Sequence, residues 1–576
     1  MRNLSNLDLS YHSLLIDEYN GANSSLSPFP QITTVKLVSC NLSKIPDFLR
    51  NQSKLKFLDL SNNQIHGKIS NWISNCTNLL NLNLSYNFLS GPLLNLPSAL
   101  VILDLSSNLL EGRLPALPPS ATYLDFSRNY FTSVIPVIPA GISLTHRGAF
   151  FLSLSSNKLF GRIPESICNA TYLVVLDLSD NLLNGTIPQC LNETLGVLDV
   201  SRNRLSGTIS YTFPVNCGLQ TLNLNGNLLE GGVPKSLNNC KNLEVLDMGN
   251  HYMEDAFPCY LRNLSRLHVL ILRSNKFHGP IGCGGKNATW PMLQILDLAS
   301  NNFTGQLPRE SIFYSKVMMD QTQSELNHLQ FEFLEFNPFY YQDVITIIVE
   351  GKEIELVKNS NYFIQFTLID VSNNNLDGPI PEELGELKSL SGLNLSHNAL
   401  TGQIPPSLGN LSQLESLDLS SNKLIGEIPM QLANGLIHLA ILNLSFNQLV
   451  GQIPQGMQFS TFSNDSYEGN KGLYGYPMTI ECIHVPGPTF EEPHLSFGIG
   501  ETHLNSGIVI DWNLIRIELG FIFGFGIVIG PLMFWKRWST WYFDHVDDIL
   551  IRIFPQLNLG TEYHRRRAHR NQRQRH

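Results

Sequence analysis

A ten-residue phrase returns along this chain so regularly that only a stack of like units accommodates it. Leu58-Asp-Leu-Ser-Asn-Asn63-Gln-Ile-His-Gly67 comes back as Leu103-Asp-Leu-Ser-Ser-Asn108-Leu-Leu-Glu-Gly112, and its core as Leu176-Asp-Leu-Ser-Asp-Asn181 and Leu417-Asp-Leu-Ser-Ser-Asn422. Aligned on the Asn of LxLxxN, the copies fall at 63, 87, 108, 129, 157, 181, 203, 227, 275, 301, 374, 398, 422 and 447, with His12, Cys40 and His251 in the same place in three weaker copies. These make seventeen units, and their usual spacing of about 24 residues is the period of a leucine-rich repeat. Alternate residues of a strand face opposite ways, so the leucines of LxL share one side and point into a common core. The Asn turns inward, where its amide satisfies backbone groups freed as the coil leaves the strand. Gly-x-Ile-Pro, as in Gly161 to Pro164, Gly402 to Pro405 and Gly426 to Pro429, then carries the chain to the convex side. One coil cannot bury its apolar face; stacked coils can. The fold expected is an α/β-type leucine-rich-repeat solenoid.

The repeat wording Gly161-Arg-Ile-Pro-Glu-Ser-Ile and Gly378-Pro-Ile-Pro-Glu-Glu-Leu-Gly-Glu-Leu is plant-like. By these motifs the chain resembles the plant leucine-rich-repeat receptor-like proteins, the group that includes leaf-mould and Verticillium-wilt resistance proteins. The resemblance covers nearly the whole length. It implies an organisation of 1–314 as a repeat array of about thirteen units, 315–362 as an island domain, 363–456 as four further repeats and 457–512 as a C-terminal cap with an acidic juxtamembrane stretch. A transmembrane helix over 513–535 and a short basic cytoplasmic tail over 536–576 complete it. The ladder does lapse between Asn301 and Asn374, across an aromatic and β-branched segment unlike disorder. In the family this island is implicated in ligand or co-receptor contact. The chain opens inside a repeat at Met1, with neither the signal peptide nor the N-terminal cap of family members, and is read as N-terminally truncated.

Sequons Asn-x-Ser/Thr stand at Asn3, Asn23, Asn41, Asn51, Asn75, Asn83, Asn169, Asn184, Asn192, Asn263, Asn287, Asn302, Asn394, Asn410, Asn443 and Asn464, and none follows. That distribution reads as a glycosylatable exterior ending near residue 465. Strands of adjacent coils lie about 4.8 Å apart, inside the Cα range of about 4.4–6.8 Å that a disulfide spans. Cys259 and Cys283 both lie eight residues past their ladder positions, Cys217 and Cys240 lie 14 and 13 past, and Cys168 and Cys190 lie 11 and 9 past. Three rungs are therefore predicted: 259–283, 217–240 and 168–190. Cys40 is read as a core thiol, and Cys76 falls inside a sequon. The family closes its cap with a cysteine where this chain has Tyr474, leaving Cys482 without its expected partner. With no CxxC, neither zinc nor another metal is expected, and no cofactor.

The stretch Leu519 to Trp535 carries no charge, and with Trp512 to Glu518 it reaches the length of a bilayer span. Gly472 to Ile515 holds no Lys or Arg, whereas Lys536 and Arg537 follow at once. The positive-inside rule then places the C terminus in the cytoplasm, making a single-pass type I plasma-membrane protein once a signal peptide is supplied. The net charge of −10 divides accordingly, with nine Lys/Arg against four Asp/Glu from Lys536 onward. Such a balance offers no footprint for nucleic acid. Gly520 with Gly524, and Gly526 with Gly530, are spaced for close approach of a second helix; the family uses such a motif to join a kinase-bearing co-receptor. The short tail from Lys536 on has no kinase signature, and no acid–base or nucleophile constellation appears, so no enzyme is expected. The expected function is a cell-surface receptor without its own kinase, taking an extracellular, microbial protein or peptide and signalling in defence through a partner leucine-rich-repeat receptor kinase. That partner would be joined through the transmembrane helix and the membrane-proximal repeats. A developmental peptide receptor, or a membrane-anchored binder and inhibitor of wall enzymes, are the alternatives. The strand-face positions are dominated by Ser, Asn and Asp and give no ligand code.

Overall fold

The computed structural model describes residues 4–12 and most of 30–478; the longest internal stretches outside it are 139–149, 320–334 and 358–365, and everything from 479 on lies outside as well. Asn3, Asn23, Asn75, Asn287, Cys482, Gly520, Gly524, Gly526, Gly530 and the expected membrane helix and tail therefore fall beyond the described residues. Among the described residues no helix is long and apolar enough to cross a membrane.

Seventeen strands form one parallel sheet, taken in chain order from Asn6–Asp8 to Ile441–Asn443. Most are three residues long, and their register is that of the repeat: Asp177 opposes Asp199, and Asp418 opposes Asn443. The strands are short because each ends on its own side chain. Asp59 Oδ1 accepts the Ser61 amide at 3.0 Å, and Asp104 and Asp199 accept the Ser106 and Ser201 amides at 3.0 and 2.9 Å. These Asx turns pull the backbone out of the ladder. The residue just before the ladder position then takes a left-handed conformation, as at Asn62 (φ 54°), Ser107 (54°) and Arg202 (50°). Gly226 (φ +68°) and Gly469 (φ +78°) occupy the same place without the strain a Cβ brings there.

The ladder Asn stabilises that turn from inside. Asn203 Nδ2 donates to Leu178 O of the preceding coil (2.9 Å) and to Val200 O and Ser201 O of its own (3.1 and 3.0 Å), while its Oδ1 accepts the Leu183 amide at 3.0 Å. One buried amide thus joins two coils and leaves none of its polar atoms unmatched. Cys40 fills the place with a thiol whose Sγ reaches Leu9 O and Val38 O at 3.1 and 3.4 Å. His251 fills it with an imidazole whose Nδ1 accepts the Asn227 amide at 3.3 Å. The ladder also runs one rung past the seventeen aligned copies. Asn470 Nδ2 donates to Leu444 O and Tyr467 O, and its Oδ1 accepts the Leu449 amide. The sequence around it, Tyr467-Glu-Gly-Asn470, lacks the LxL that marks the others.

After each rung, Gly-x-Ile-Pro builds a second, lateral set of strands, for example Asn375–Pro379, Ala399–Gln403 and Lys423–Gly426. Its glycines sit at φ near +80°, as at Gly402 (+79°) and Gly426 (+81°). The proline then precedes a short 3-10 or α-helical turn, as Pro405 does for Pro406–Asn410 and Pro429 for Met430–Gly435. Among the aligned coils that are described, Lys44, Ser133 and Asp255 stand in place of that glycine, and none of the three adopts the positive φ. The four-stranded lateral sheet ends at Tyr130–Phe131, in the coil of Ser133, and the five-stranded one at Tyr252–Met253, in the coil of Asp255. Beyond Asp255 only the single bridge Ala256 to His278 continues the pairing.

The parallel sheet passes directly from Ile295–Asp297 to Leu368–Asp370, although a long excursion of the chain separates them. Of that excursion, Lys316–Met319 is helical, and Val344–Val349 pairs antiparallel with Lys352–Val357. Three disulfides link neighbouring coils on the helical side: Cys168 to Cys190, Cys217 to Cys240 and Cys259 to Cys283, with Cα separations of 5.7, 4.6 and 5.4 Å. Cys40 and Cys76 are buried, and Tyr474 pairs its strand Gly472–Tyr474 with Gln448–Gln452.

Candidate functional site

Each three-residue strand sends its middle side chain to the core, so its first and third residues stand on the open face of the parallel sheet. The third residues are the Ser, Asn and Asp expected, apart from Lys36 and Ile271. The first residues are not. From Ile102 the register runs through Tyr123, Phe151, Val175 and Val197, and on through Thr221, Val245, Val269, Ile295 and Leu368. Tyr123 and Phe151 stack face to face, centroids 4.3 Å apart and planes 6° from parallel. A row ten coils long, apolar at all but Thr221, thus lies beside a polar one. It was legible as the residue immediately before the middle leucine, but the LDLS wording draws attention to the residue after it.

The hairpin of the long excursion lies against this row. Ile347 is 1% exposed and packs into one apolar cluster with Val245, Val269, Ile271, Ile295 and Leu368, flanked by Val349, Leu356 and Phe366. Four successive strands therefore carry a second antiparallel element on their open face, in a region where the third-residue row is also deeply buried: Asp247, Asp297 and Asp370 are 3%, 0% and 4% exposed.

Burying carboxylates in register has an electrostatic consequence. Asp104 and Asp125 face each other across adjacent strands, as do Asp297 and Asp370. Burial, then the neighbouring Asp104, pushes Asp125 up to about 7. Burial and Asp370 push Asp297 to about 7 despite the opposing pull of Arg273. Asp247 is raised by burial to about 6, held there by the Gly249 amide and Asn225; Asp104 and Asp370 are raised by burial too. Elsewhere the row is relieved by neutral donors: Asn223 Nδ2 reaches Asp199 Oδ2 at 2.9 Å, and Asn225 Nδ2 reaches Asp247 Oδ1 at 3.0 Å. Where Ile271 interrupts it, Arg273 supplies the counter-charge. Among the described residues, no group of three His, Cys, Asp or Glu converges to hold a metal ion. The face thus sets a row whose members from Tyr123 to Leu368 are each 6% exposed or less beside carboxylates raised toward neutrality.

The described sequons sort by side. Asn51, Asn169, Asn192, Asn263 and Asn410 each end a short 3-10 helix. Asn184 and Asn302 lie on lateral strands, and Asn83, Asn394 and Asn443 on the open face of the sheet. Asn41 follows Cys40 directly, and Asn464 opens the turn Asn464–Tyr467.

Leucine-rich-repeat family models match residues 365–424 and the separate stretches 54–76, 150–170, 172–193, 218–240 and 292–311. Receptor-like protein 53 of Arabidopsis thaliana is 35% identical over 540 residues, and Receptor-like protein 34 of the same plant is 38% identical over 539. Each alignment takes in 92% of this chain and 49% of the relative. The chain belongs to the plant leucine-rich-repeat receptor-like proteins. It spans about half the length of the curated relatives it matches. Among solved structures, a TDR receptor aligns at 29% identity with a TM-score of 0.59, covering 75% of this chain and 66% of that one. The Arabidopsis receptor kinase HAESA, in complex with the peptide hormone IDA and the co-receptor SERK1, aligns at 29% identity with a TM-score of 0.54, covering 77% and 70%.

Proposed function

We propose that this receptor-like protein is a cell-surface receptor without a kinase of its own, that its repeat array captures an extracellular peptide or protein on the open face of the parallel sheet, and that it signals through a partner receptor kinase. The observation that carries the reading is the apolar row from Ile102 to Leu368, with the antiparallel hairpin seated on its far end. A stack of coils is pre-formed, and binding energy is not lost to ordering it. The ligand biases assembly with the kinase only if it favours the assembled state. Family membership supports a receptor role. A microbial ligand and a defence output follow from the resistance proteins the sequence resembles.

The anchor is the apolar stretch over 513–535, with the N terminus outside and the basic tail inside, and pairing with the co-receptor runs through Gly520, Gly524, Gly526 and Gly530. The test is a screen of microbial extracts and plant peptide pools on plant cells expressing the full chain behind a signal peptide, read as an immune output. Immunoprecipitation of receptor kinases from the same cells follows. A ligand-dependent output and a co-purifying kinase support the reading. Silence across the screen, or pairing unchanged by Gly→Leu substitution at the four glycines, counts against the corresponding half of it.

A second reading has its own support: the aligned receptor kinase HAESA is in complex with a peptide hormone. A developmental receptor would answer the peptide pools and not the microbial extracts.

A further inference from the structure

The hairpin of Val344–Val349 and Lys352–Val357 rests on the coils where the carboxylate row is most deeply enclosed. Third-residue aspartates elsewhere, at Asp59, Asp177 and Asp418, are half-buried, whereas Asp297 is fully enclosed and Asp370 is 4% exposed. Ile347 joins both rows at once. Its cluster takes in Val245, Val269, Ile295 and Leu368 from the apolar row, and Ile271 from the row of third residues, in register between Asp247 and Asp297. The apolar contacts hold the hairpin down, and the same contacts keep water from the carboxylates beside them.

The charges at that place do not balance when all are ionised. Asp297 and Asp370 oppose each other across adjacent strands, and the cation both feel is Arg273, whose Nη1 lies 2.7 Å from Asp297 Oδ2. Asp370 takes the Ser372 amide at 2.9 Å and Asn394 Nδ2 at 3.5 Å, while Asp418 two strands on adds repulsion. Asp247, on the far side of Ile271, takes Asn225 Nδ2 at 3.0 Å and feels Arg202 as well as Arg273. On the hairpin Lys352, Glu353 and Glu355 are exposed. Across the apolar row Glu244, 2.7 Å from Arg266, and His268 are buried. Two carboxylates and one guanidinium are neutral only with one proton between them. Ionised together, they leave an unmatched charge where water is excluded, which is costly. Lifting the hairpin readmits water and removes that cost.

We propose that the hairpin is a pH-dependent cover of the open face, which closes over Val245 to Leu368 while Asp297 and Asp370 share one proton beside Arg273 and lifts when that proton leaves. Burial and Asp370 raise Asp297 to about 7 in the closed form. A carboxyl raised on closure binds its proton more tightly there, so closure is favoured at lower pH and lost as pH rises through that value. On the receptor reading the cover regulates access to four coils of the recognition face; closure itself does not depend on that reading.

Hydrogen exchange followed by mass spectrometry on the purified full chain in detergent tests this, at about pH 5.5 and pH 8 with rates corrected for intrinsic exchange. Between the two, amides of 344–357 are expected to lose protection at least tenfold more than those of the strands Ser416–Asp418 and Ile441–Asn443. Asp370→Asn keeps the turn acceptor, as Asn394 does in the next strand, and leaves Asp297 matched to Arg273. In this variant the excess loss is expected to stay below threefold. Asp370→Ser takes its place if it does not fold, since Ser153 holds the equivalent strand position. An excess below tenfold in the native chain, or one above threefold in the variant, overturns the cover. A ligand from the screen that acts while the hairpin is equally protected at both pH values removes the cover and leaves the receptor reading standing; a pH-dependent hairpin in a chain that answers no ligand does the reverse.

Discussion

Arg273 Nη1 lies 2.7 Å from Asp297 Oδ2, with the guanidinium side chain 13% exposed and the carboxylate side chain fully enclosed. The pair bridges two coils at the point where Ile271 breaks the acidic row, so one cation answers carboxylates on both sides: Asp247, Asp297 and Asp370 all feel it. Removing one partner of a buried pair leaves the other unmatched and costs about 3–5 kcal/mol. Arg273→Ala should therefore lower the denaturation midpoint strongly at pH 8. At pH 5 the loss should be small, because Asp297 is then protonated and no longer a buried charge. Arg273→Ala with Asp297→Asn should recover most of the loss at pH 8. Equal losses at the two pH values would show that the pair is not what Arg273 contributes.

The inward amides invite a second substitution. Cys40 and His251 hold ladder places with fewer and longer hydrogen bonds than an amide makes. Burial pushes the His251 imidazole down to about 4. A histidine lowered in the fold contributes stability above its unfolded value, near 6.5, and loses it as pH falls from there through about 4. His251→Asn should thus stabilise the array by about 1 kcal/mol at neutral pH, and by more at pH 4–5. Thermal unfolding at the two pH values measures it, and no gain at acid pH would sink the argument.

How far such places could be read from residues alone depends on what the signal was. The leucines and the Asn of LxLxxN carry their own period, so strand, core and ladder were legible to the residue, and the cysteine offsets matched the coils whose sulfurs meet. Asn470 was not legible, because its coil keeps the amide but has Asp465 and Tyr467 where the two leucines of the repeat stand. The apolar row on the open face was present in the sequence, one residue before each middle leucine, yet nothing local says that a later hairpin will lie on it. Contacts such as Ile347 against Val269 join residues from distant parts of the chain, and no period relates them.

Sequons give a prediction that separates sides of the solenoid. Asn263 and Asn410 are exposed at the ends of short helices. Asn443 instead closes an Asx turn in which Oδ1 takes the Ser445 amide at 3.2 Å and its hydroxyl at 2.7 Å. Asn263→Gln and Asn410→Gln should each remove one glycan and leave the melting temperature within a degree or so, since surface changes alter stability by only about 0.5 kcal/mol. Asn443→Gln loses the turn and should cost about 1–2 kcal/mol, whereas Asn443→Asp keeps the turn while abolishing the sequon. Glycopeptide mapping with thermal unfolding distinguishes them, and indistinguishable melting of Gln and Asp at 443 would refute the role of the turn.

The carboxylate row on the open face makes the whole array pH-sensitive in a stated direction. Asp125 and Asp297 sit at about 7 in the fold and Asp247 at about 6, against roughly 3.9 in an unfolded chain. A carboxyl raised by folding binds its proton more tightly in the native state. Its contribution is fully present below the unfolded value and is lost as pH rises through the folded one. Between about pH 4 and pH 7 stability should therefore fall as pH rises, with the melting temperature several degrees higher at pH 5 than at pH 8. His251 opposes this from about pH 6.5 downward, as one group against three carboxyls. Asp125→Asn is the decisive variant. Asn already fills the equivalent place at Asn83, Asn394 and Asn443 and accepts the same amide two residues on, so the turn survives while the titration disappears. The variant should melt higher than the native chain at pH 8, match it near pH 5, and show a flatter profile between. A parallel profile, displaced but equally steep, would mean that the row does not titrate where its burial and register place it.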